Sequence, residues 1–198
     1  MDFITHLWLP IVVCAVAVFI CSFLVWAILP HHKDDWAQLP NEDAVRDDLK
    51  ARGVTPGVYV FPKLGKSDCN TPEGKAAWER APAGVLTVFT PPNMGKNMAG
   101  TFVVMLIASA LTGYLAWHII GRDPVYAALH YKDFADRFQI VGTIGILTWC
   151  FSALPNQIWF QAGKRGMVNC TVDGVLYGMV TGAVFSWLWP AAQAALAK

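Results

Sequence analysis

The stretch that decides the fold is Thr171–Pro190, which reads TVDGVLYGMVTGAVFSWLWP. Gly174, Gly178 and Gly182 recur at every fourth position, and Ser186 continues the row. In a helix this spacing places the small residues along one side. Small residues let a second helix approach closely, which is a common way for helices to associate inside a membrane. We therefore predict a membrane helix that packs tightly against another helix.

The chain contains four apolar runs of membrane-spanning length. It has 198 residues, of which 55% are hydrophobic and 15% are charged, whereas about 25% are charged in an average soluble domain. The charged residues fall almost wholly outside these runs, which are Leu7–Leu29, Thr101–Ile120, Ile140–Phe160 and Val172–Pro190. Each run is close to the ~20 residues that cross a bilayer. The predicted fold is an all-α membrane protein, a bundle of four transmembrane helices.

A polar segment over residues 30–100 separates the first two runs, and its nine acidic residues balance nine basic ones. Capping residues at Asn41 and Gly53 predict a short helix between them. A second helix is predicted over 72–80, and β-branched and aromatic residues predict short strands over 58–61 and 84–89. Two strands and two helices bury little core. We expect a small soluble α+β insert that rests on the membrane domain or on a partner.

The loop after the second run has an amphipathic pattern, with apolar residues on one side of a helical projection and charged residues on the other. This pattern predicts an interfacial helix near 124–137. The predicted organisation is a first transmembrane helix over 1–29, the insert over 30–100, and transmembrane helices 2–4 with the interfacial helix over 101–198.

Two further features concern helix packing. Ser109 and Gly113 lie four residues apart in the second run and form a shorter row of small residues. Pro155 lies inside the third run and removes a backbone donor, so we expect a kink there.

Three polar residues fall at the ends of the apolar runs. Asn156 and Gln157 precede the short third loop and Asp173 follows it, so we expect them at similar depth. Intramembrane polar groups indicate functional sites by default. Thr171 is a suitable N-cap, which would place Asp173 in a first helical turn, where free backbone N–H groups stabilise an acid. We expect a capping or helix-pairing role for Asp173, and an ion or proton route is the alternative.

The side of the membrane that holds both termini also carries the candidate metal ligands Asp2, His6, His118 and His130. His6 and His118 could in principle ligate a haem between the first two helices. None of the three histidines has a ligand spacing such as i,i+4, so we predict no metal and no cofactor. The adjacent pair His31 and His32 is expected to be interfacial, after a proline that ends the first helix.

Composition and motifs exclude several functional classes. The net charge is +1, and no basic cluster could neutralise a phosphate backbone, so no nucleic-acid partner is expected. The sequence contains no phosphate loop, dinucleotide fingerprint, zincin motif or nucleophile elbow. We therefore predict that the protein is not an enzyme.

Six short motifs are spread over most of the chain: Pro30–His32, Leu39–Asp43, Pro56–Tyr59, Ile158–Phe160, Asp173–Gly178 and Trp187–Pro190. Together they resemble a conserved-hypothetical family of bacterial four-helix membrane proteins that has no assigned activity. The resemblance implies a four-helix fold and a bacterial membrane location, and it implies nothing catalytic.

The sequence thus predicts an accessory, scaffolding or assembly subunit in a bacterial inner membrane, which contacts lipid and other membrane subunits or copies of itself. The count of basic residues favours termini outside and the insert in the cytoplasm. Two alternatives stay open. One is a small oligomeric transporter or channel that uses Asn156 and Asp173, and the other is a haem- or metal-binding redox subunit that uses His6 and His118.

Overall fold

The fold is described from a computed structural model for residues 2–80, 82–152, 154–160 and 163–190. In chain order its helices and strands are α1 (Asp2–Phe23), α2 (Glu42–Ala51), β1 (Gly57–Phe61), α3 (Pro72–Glu79), β2 (Gly84–Val88), α4 (Met94–Ala116), α5 (Pro124–His130), α6 (Phe134–Cys150), α7 (Leu154–Trp159) and α8 (Lys164–Trp187). Short π-helical segments extend α1 over Leu24–Ile28 and α4 over Trp117–Gly121.

Within the described residues, four helical segments are long and apolar enough to span a membrane, as the sequence predicts. They cover Phe3–Ile28, Met94–Gly121, Phe134–Trp159 and Lys164–Trp187. Three of them begin six to eight residues before the predicted apolar runs, because helix formation continues past the apolar residues into polar ones. A prediction from hydropathy alone therefore leaves those polar turns out of the helices.

The chain forms two compact units. One unit contains residues 1–36 and 94–198, and the other contains residues 37–93. The predicted insert over 30–100 is therefore too long at both ends. Residues 30–36 belong to the membrane unit, and residues 94–100 form the first two turns of α4.

The insert is an α+β unit with the predicted elements. Strands β1 and β2 pair antiparallel, with Tyr59 opposite Leu86. Gly53 ends α2 with a φ of +66°, a left-handed conformation that glycine adopts without strain. The side chain of Thr71 caps α3 by accepting a hydrogen bond from the Gly74 backbone N–H. The unit is small, and Gly74 is the buried residue among those described between 37 and 93.

The third membrane segment is interrupted where α6 ends and α7 begins. Helix α6 stops at Cys150, a turn follows at Phe151 and Ser152, and α7 starts at Leu154. Pro155 lies one position inside α7. A proline ring clashes with the carbonyl group four residues earlier, which here is that of Phe151. The break therefore lies one turn before the proline that the sequence analysis identified.

The predicted single helix near 124–137 is wrong in its extent. Asp123 caps α5 by accepting hydrogen bonds from the backbone N–H groups of Val125 and Tyr126, as expected for the helix start. However, α5 ends at His130, and residues from Phe134 onward belong to α6. The apolar side chains of 134–138 contribute to the amphipathic pattern because they open the third membrane segment.

Helix α8 also begins earlier than predicted. Gly163 is its N-cap residue and Lys164 its first residue, so Thr171 lies inside the helix. Asp173 is therefore more than two turns from the helix start. The predicted capping role for Asp173 is wrong, because the free N–H groups of the helix end are out of its reach.

The glycine row of α8 faces α6, and this pair has the most extensive contact between described helices. An added methyl group at Gly178 would lie 2.6 Å from the backbone nitrogen of Ile146. The same addition at Gly174 would meet the backbone of Cys150, and at Gly182 it would meet the backbone of Gly142. Each glycine therefore lacks a side chain where the backbone of α6 occupies the space.

Helix α1 packs on α4 and on α8. The buried apolar side chains of α1 include Leu7, Ile11, Cys14 and Val18. On α4, Ser109 is buried, and a methyl group at Gly113 would lie 3.1 Å from the Ile11 side chain. Gly113 thus lets α1 approach α4 closely.

We expect Gly178→Ala to lower the free energy of unfolding by about 1–3 kcal/mol, because α6 must move to admit the methyl group. The matched control is Gly100→Ala in α4, where nothing lies within 4 Å of the added carbon. The control should be neutral or slightly stabilising, since alanine is the better helix former. Unfolding in mild detergent measures both. Equal midpoints for the two variants would show that the row is not a close helix contact.

Candidate functional site

A buried cluster of histidine and aspartate side chains joins the end of the first membrane segment to α8. His31, His32 and Asp35 come from the segment that follows α1, and Asp173 comes from α8. We call these four residues the histidine–aspartate cluster. The side chains of His32, Asp35 and Asp173 are almost fully buried, and that of His31 is 31% exposed.

The local sequence turns both histidines toward α8. Leu29 is extended, as expected for a residue before proline, and Pro30 begins a 3₁₀ turn that contains the two histidines. Trp26, in the π-helical segment that ends the first membrane segment, stacks on His32 with ring centroids 3.8 Å apart and planes 9° apart. This stacking fixes the plane of the His32 ring.

Asp173 is in contact with both histidines. Its Oδ1 lies 3.1 Å from Nε2 of His31, and its Oδ2 lies 2.7 Å from Nε2 of His32. The second ring nitrogen of His32, Nδ1, lies 2.7 Å from Oδ2 of Asp35. His32 is thus held between two carboxylates, and Asp173 is shared by two imidazoles.

Residues from the first turns of α8 make hydrogen bonds and an ion pair at the edge of the cluster. Asn169 Nδ2 donates hydrogen bonds to the His31 carbonyl oxygen and to Oδ1 of Asp35, both at 2.8 Å. Arg165 Nη2 lies 3.2 Å from Oδ2 of Asp34, in an exposed ion pair. Because these contacts bind backbone as well as side chains, they tie residues 31–35 to α8.

The two carboxylates determine the protonation of His32. Burial favours the neutral imidazole, but hydrogen bonds to Asp35 and Asp173 and their negative charges outweigh it, so the pKa of His32 lies above its ordinary value. A carboxylate only accepts hydrogen bonds, so a ring that bonds to one at each nitrogen donates from both. The contacts therefore fit an imidazolium that bridges Asp35 and Asp173.

The three polar residues predicted at similar depth have different surroundings. Asn156 is exposed, and Gln157 is half-buried. No hydrogen bond among the described residues joins either of them to Asp173. The hydrogen-bond partners of Asp173 come from the residues that follow the first membrane segment, and the common depth of the three residues stays a prediction.

The histidines first considered as metal ligands lie elsewhere. His6 stacks on Trp117, His118 is beside Tyr114, and His130 is beside Tyr126. Among the described residues, the one group of three or more His, Cys, Asp or Glu side chains placed to hold a metal consists of His31, His32 and Asp173, whose ligand atoms lie within 4.8 Å of one another. The Asp2 side chain lies outside what the structure describes.

The pairing of His31 and His32 with Asp173 is not among the predictions from sequence, although the sequence contains a signal for it. With four spans, the segment after the first and the start of the fourth lie on the same side of the membrane. A histidine pair and a carboxylate at these two ends could therefore meet.

Ser186, the last residue of the predicted row, is buried, and its carbonyl oxygen accepts a hydrogen bond from Arg137.

No protein-family model, curated protein or solved structure matches this chain.

Asp173→Asn should lower the free energy of unfolding by about 3–5 kcal/mol, because it removes one partner from a buried charge pair. Asp34→Asn is the control, since Asp34 is 65% exposed and pairs with Arg165 at the surface. The control should cost no more than about 1 kcal/mol. Thermal unfolding in detergent measures the difference. A loss at Asp173 no larger than at Asp34 would mean that the cluster does not hold residues 31–35 on α8.

Proposed function

We propose that this protein is a non-catalytic accessory or assembly subunit of a larger complex in a bacterial inner membrane. In this proposal its four spans form one bundle, and the insert over residues 37–93 binds a partner protein. The observation that carries the proposal is the surface of the insert, where apolar side chains are exposed on a sheet too small to have its own core.

The two-stranded sheet of the insert exposes apolar side chains on both faces. Val58 is 73% exposed, and Val60 and its cross-strand partner Val85 are also exposed on that face. On the opposite face Tyr59 and Phe61 are exposed. Side chains alternate between the faces of a strand, so a sheet that is stable in water normally covers one face. A partner that covers the Val58 face would supply the missing burial.

The charge of the insert favours a protein partner over a lipid surface. Residues 37–93 contain seven acidic and seven basic residues, so the unit is neutral. Binding to an anionic membrane surface requires an excess of Lys and Arg. Exposed apolar patches mark contacts with proteins or membranes, and the neutral charge of this unit favours a protein.

The histidine–aspartate cluster holds the chain in place where it leaves the first membrane segment. It ties residues 31–35 to α8 immediately before the insert begins. A docking unit attached to a rigid exit loses less conformational freedom on binding than one on a loose tether. The alternative of a channel that uses Asn156 and Asp173 has less support, because Asn156 is exposed and Asp173 is engaged by two histidines.

Photo-crosslinking in native membranes tests the proposal. A photoreactive amino acid at Val58 should give one discrete protein adduct, because the side chain would lie in the interface. The same amino acid at Arg46, an exposed position on α2, is the control and should give none.

A second variant links the adduct to the apolar face. The double change Val58→Asp and Val60→Asp should abolish co-purification of the crosslinked protein while the membrane unit unfolds at an unchanged temperature. Adducts to lipid alone, or equal adducts from Val58 and Arg46, would contradict a protein partner at this face.

A further inference from the structure

We propose that His31, His32 and Asp173 form a binding site for a divalent transition-metal ion of the Zn²⁺ type. The proposal rests on the geometry and chemistry of the histidine–aspartate cluster and is independent of the function proposed for the insert.

The ligand atoms lie within 4.8 Å of one another, close enough to converge on one small ion. Zinc binds imidazole nitrogen and carboxylate oxygen at about 2.0–2.2 Å, which at tetrahedral angles places neighbouring ligand atoms about 3.3–3.5 Å apart. Nε2 of His31 and Nε2 of His32 lie 3.1 and 2.7 Å from the two oxygens of Asp173. Small rotations of these side chains would admit the ion between them.

Asp35 supplies the support that a metal-binding histidine requires. A ligating histidine almost always donates its other ring N–H to a carboxylate or carbonyl group, which fixes its orientation and tautomer. Nδ1 of His32 lies 2.7 Å from Asp35, and Asp35 is held in turn by Asn169. This chain of contacts leaves Nε2 of His32 directed at Asp173, where the ion would bind.

The charge of the cluster also favours a divalent cation. Among the described residues, Arg165 lies 3.2 Å from Asp34 and 3.8 Å from Asp35, whereas the ion-pair contacts of Asp173 are to the two histidines. An ion bound to Nε2 of His32 would replace the proton on that nitrogen, and with both imidazoles neutral the carboxylates of Asp35 and Asp173 give the cluster two negative charges. A divalent ion would balance them without burying a net charge, which is costly at low dielectric.

The donor set identifies the class of ion. Two imidazoles and one carboxylate suit Zn²⁺ and its neighbours in the first transition row, whereas Mg²⁺ and Ca²⁺ prefer oxygen ligands alone. Three protein ligands leave a fourth position open, as in zinc sites with two histidines and one carboxylate. His31 is 31% exposed, so the ion can enter from the water side of the cluster.

Calorimetric titration of the full-length protein with Zn²⁺ tests the site, after chelation in detergent and removal of any purification tag. We expect one Zn²⁺ per chain, no displacement by a large excess of Mg²⁺, and a visible absorption band when Co²⁺ replaces Zn²⁺. Asp35→Asn should weaken binding about 10–100-fold, because Asp35 only supports a ligand. His31→Gln removes a ligand and should weaken it further.

His118→Gln is the matched control, because His118 lies beside Tyr114, outside the cluster. It should bind Zn²⁺ as the unchanged protein does. His31 is partly exposed, so we expect His31→Gln to fold. Zinc binding can then be tested without the Asp173→Asn variant, which loses more stability. Absence of stoichiometric Zn²⁺ binding by the unchanged protein would overturn the proposal. Equal affinity in His31→Gln and His118→Gln would overturn it as well.

Discussion

The fold depends on the pairing of one buried carboxylate, that of Asp173, inside the membrane unit. Asp173 is almost fully buried and lies more than two turns from the start of α8, so no helix end stabilises it. An isolated buried carboxylate costs many kcal/mol, and the protein must either neutralise it or pair it. Two histidines that directly follow the first membrane segment provide the pairing. The position of the chain as it leaves that segment follows from this constraint.

The glycine row and the histidine–aspartate cluster act on two neighbouring sides of α8. Gly174, next to Asp173, contacts the backbone of α6, while Asp173 itself binds the segment after α1. Close packing along α6 limits how far α8 can shift or rotate. Asp173 is therefore presented at a fixed height and angle, which a set of hydrogen bonds of 2.7–3.1 Å requires. Packing by small residues thus positions the polar cluster.

Local patterns in the sequence predict much of this fold, but they do not predict contacts between residues that are far apart in the chain. The four spans follow from length and hydropathy, and the strands of the insert follow from runs of β-branched and aromatic residues. The break near Pro155 follows from the proline, although its position at Phe151 depends on the clash one turn earlier. The contact between His32 and Asp173 joins residues 141 positions apart, and no local pattern encodes it. The start of α8 at Lys164 was missed because its first turns are polar, and that error placed Asp173 at a helix end.

A double-mutant cycle between His32 and Asp173 tests the central claim most directly, namely that these two side chains stabilise the protein through each other. The free energy of unfolding is measured for His32→Gln, Asp173→Asn and the double variant, with His118→Gln and Asp173→Asn as a parallel cycle. We predict a coupling of about 1–3 kcal/mol in the first cycle, as for residues in direct contact, and additivity in the second. Additivity within about 0.5 kcal/mol in both cycles would contradict the account.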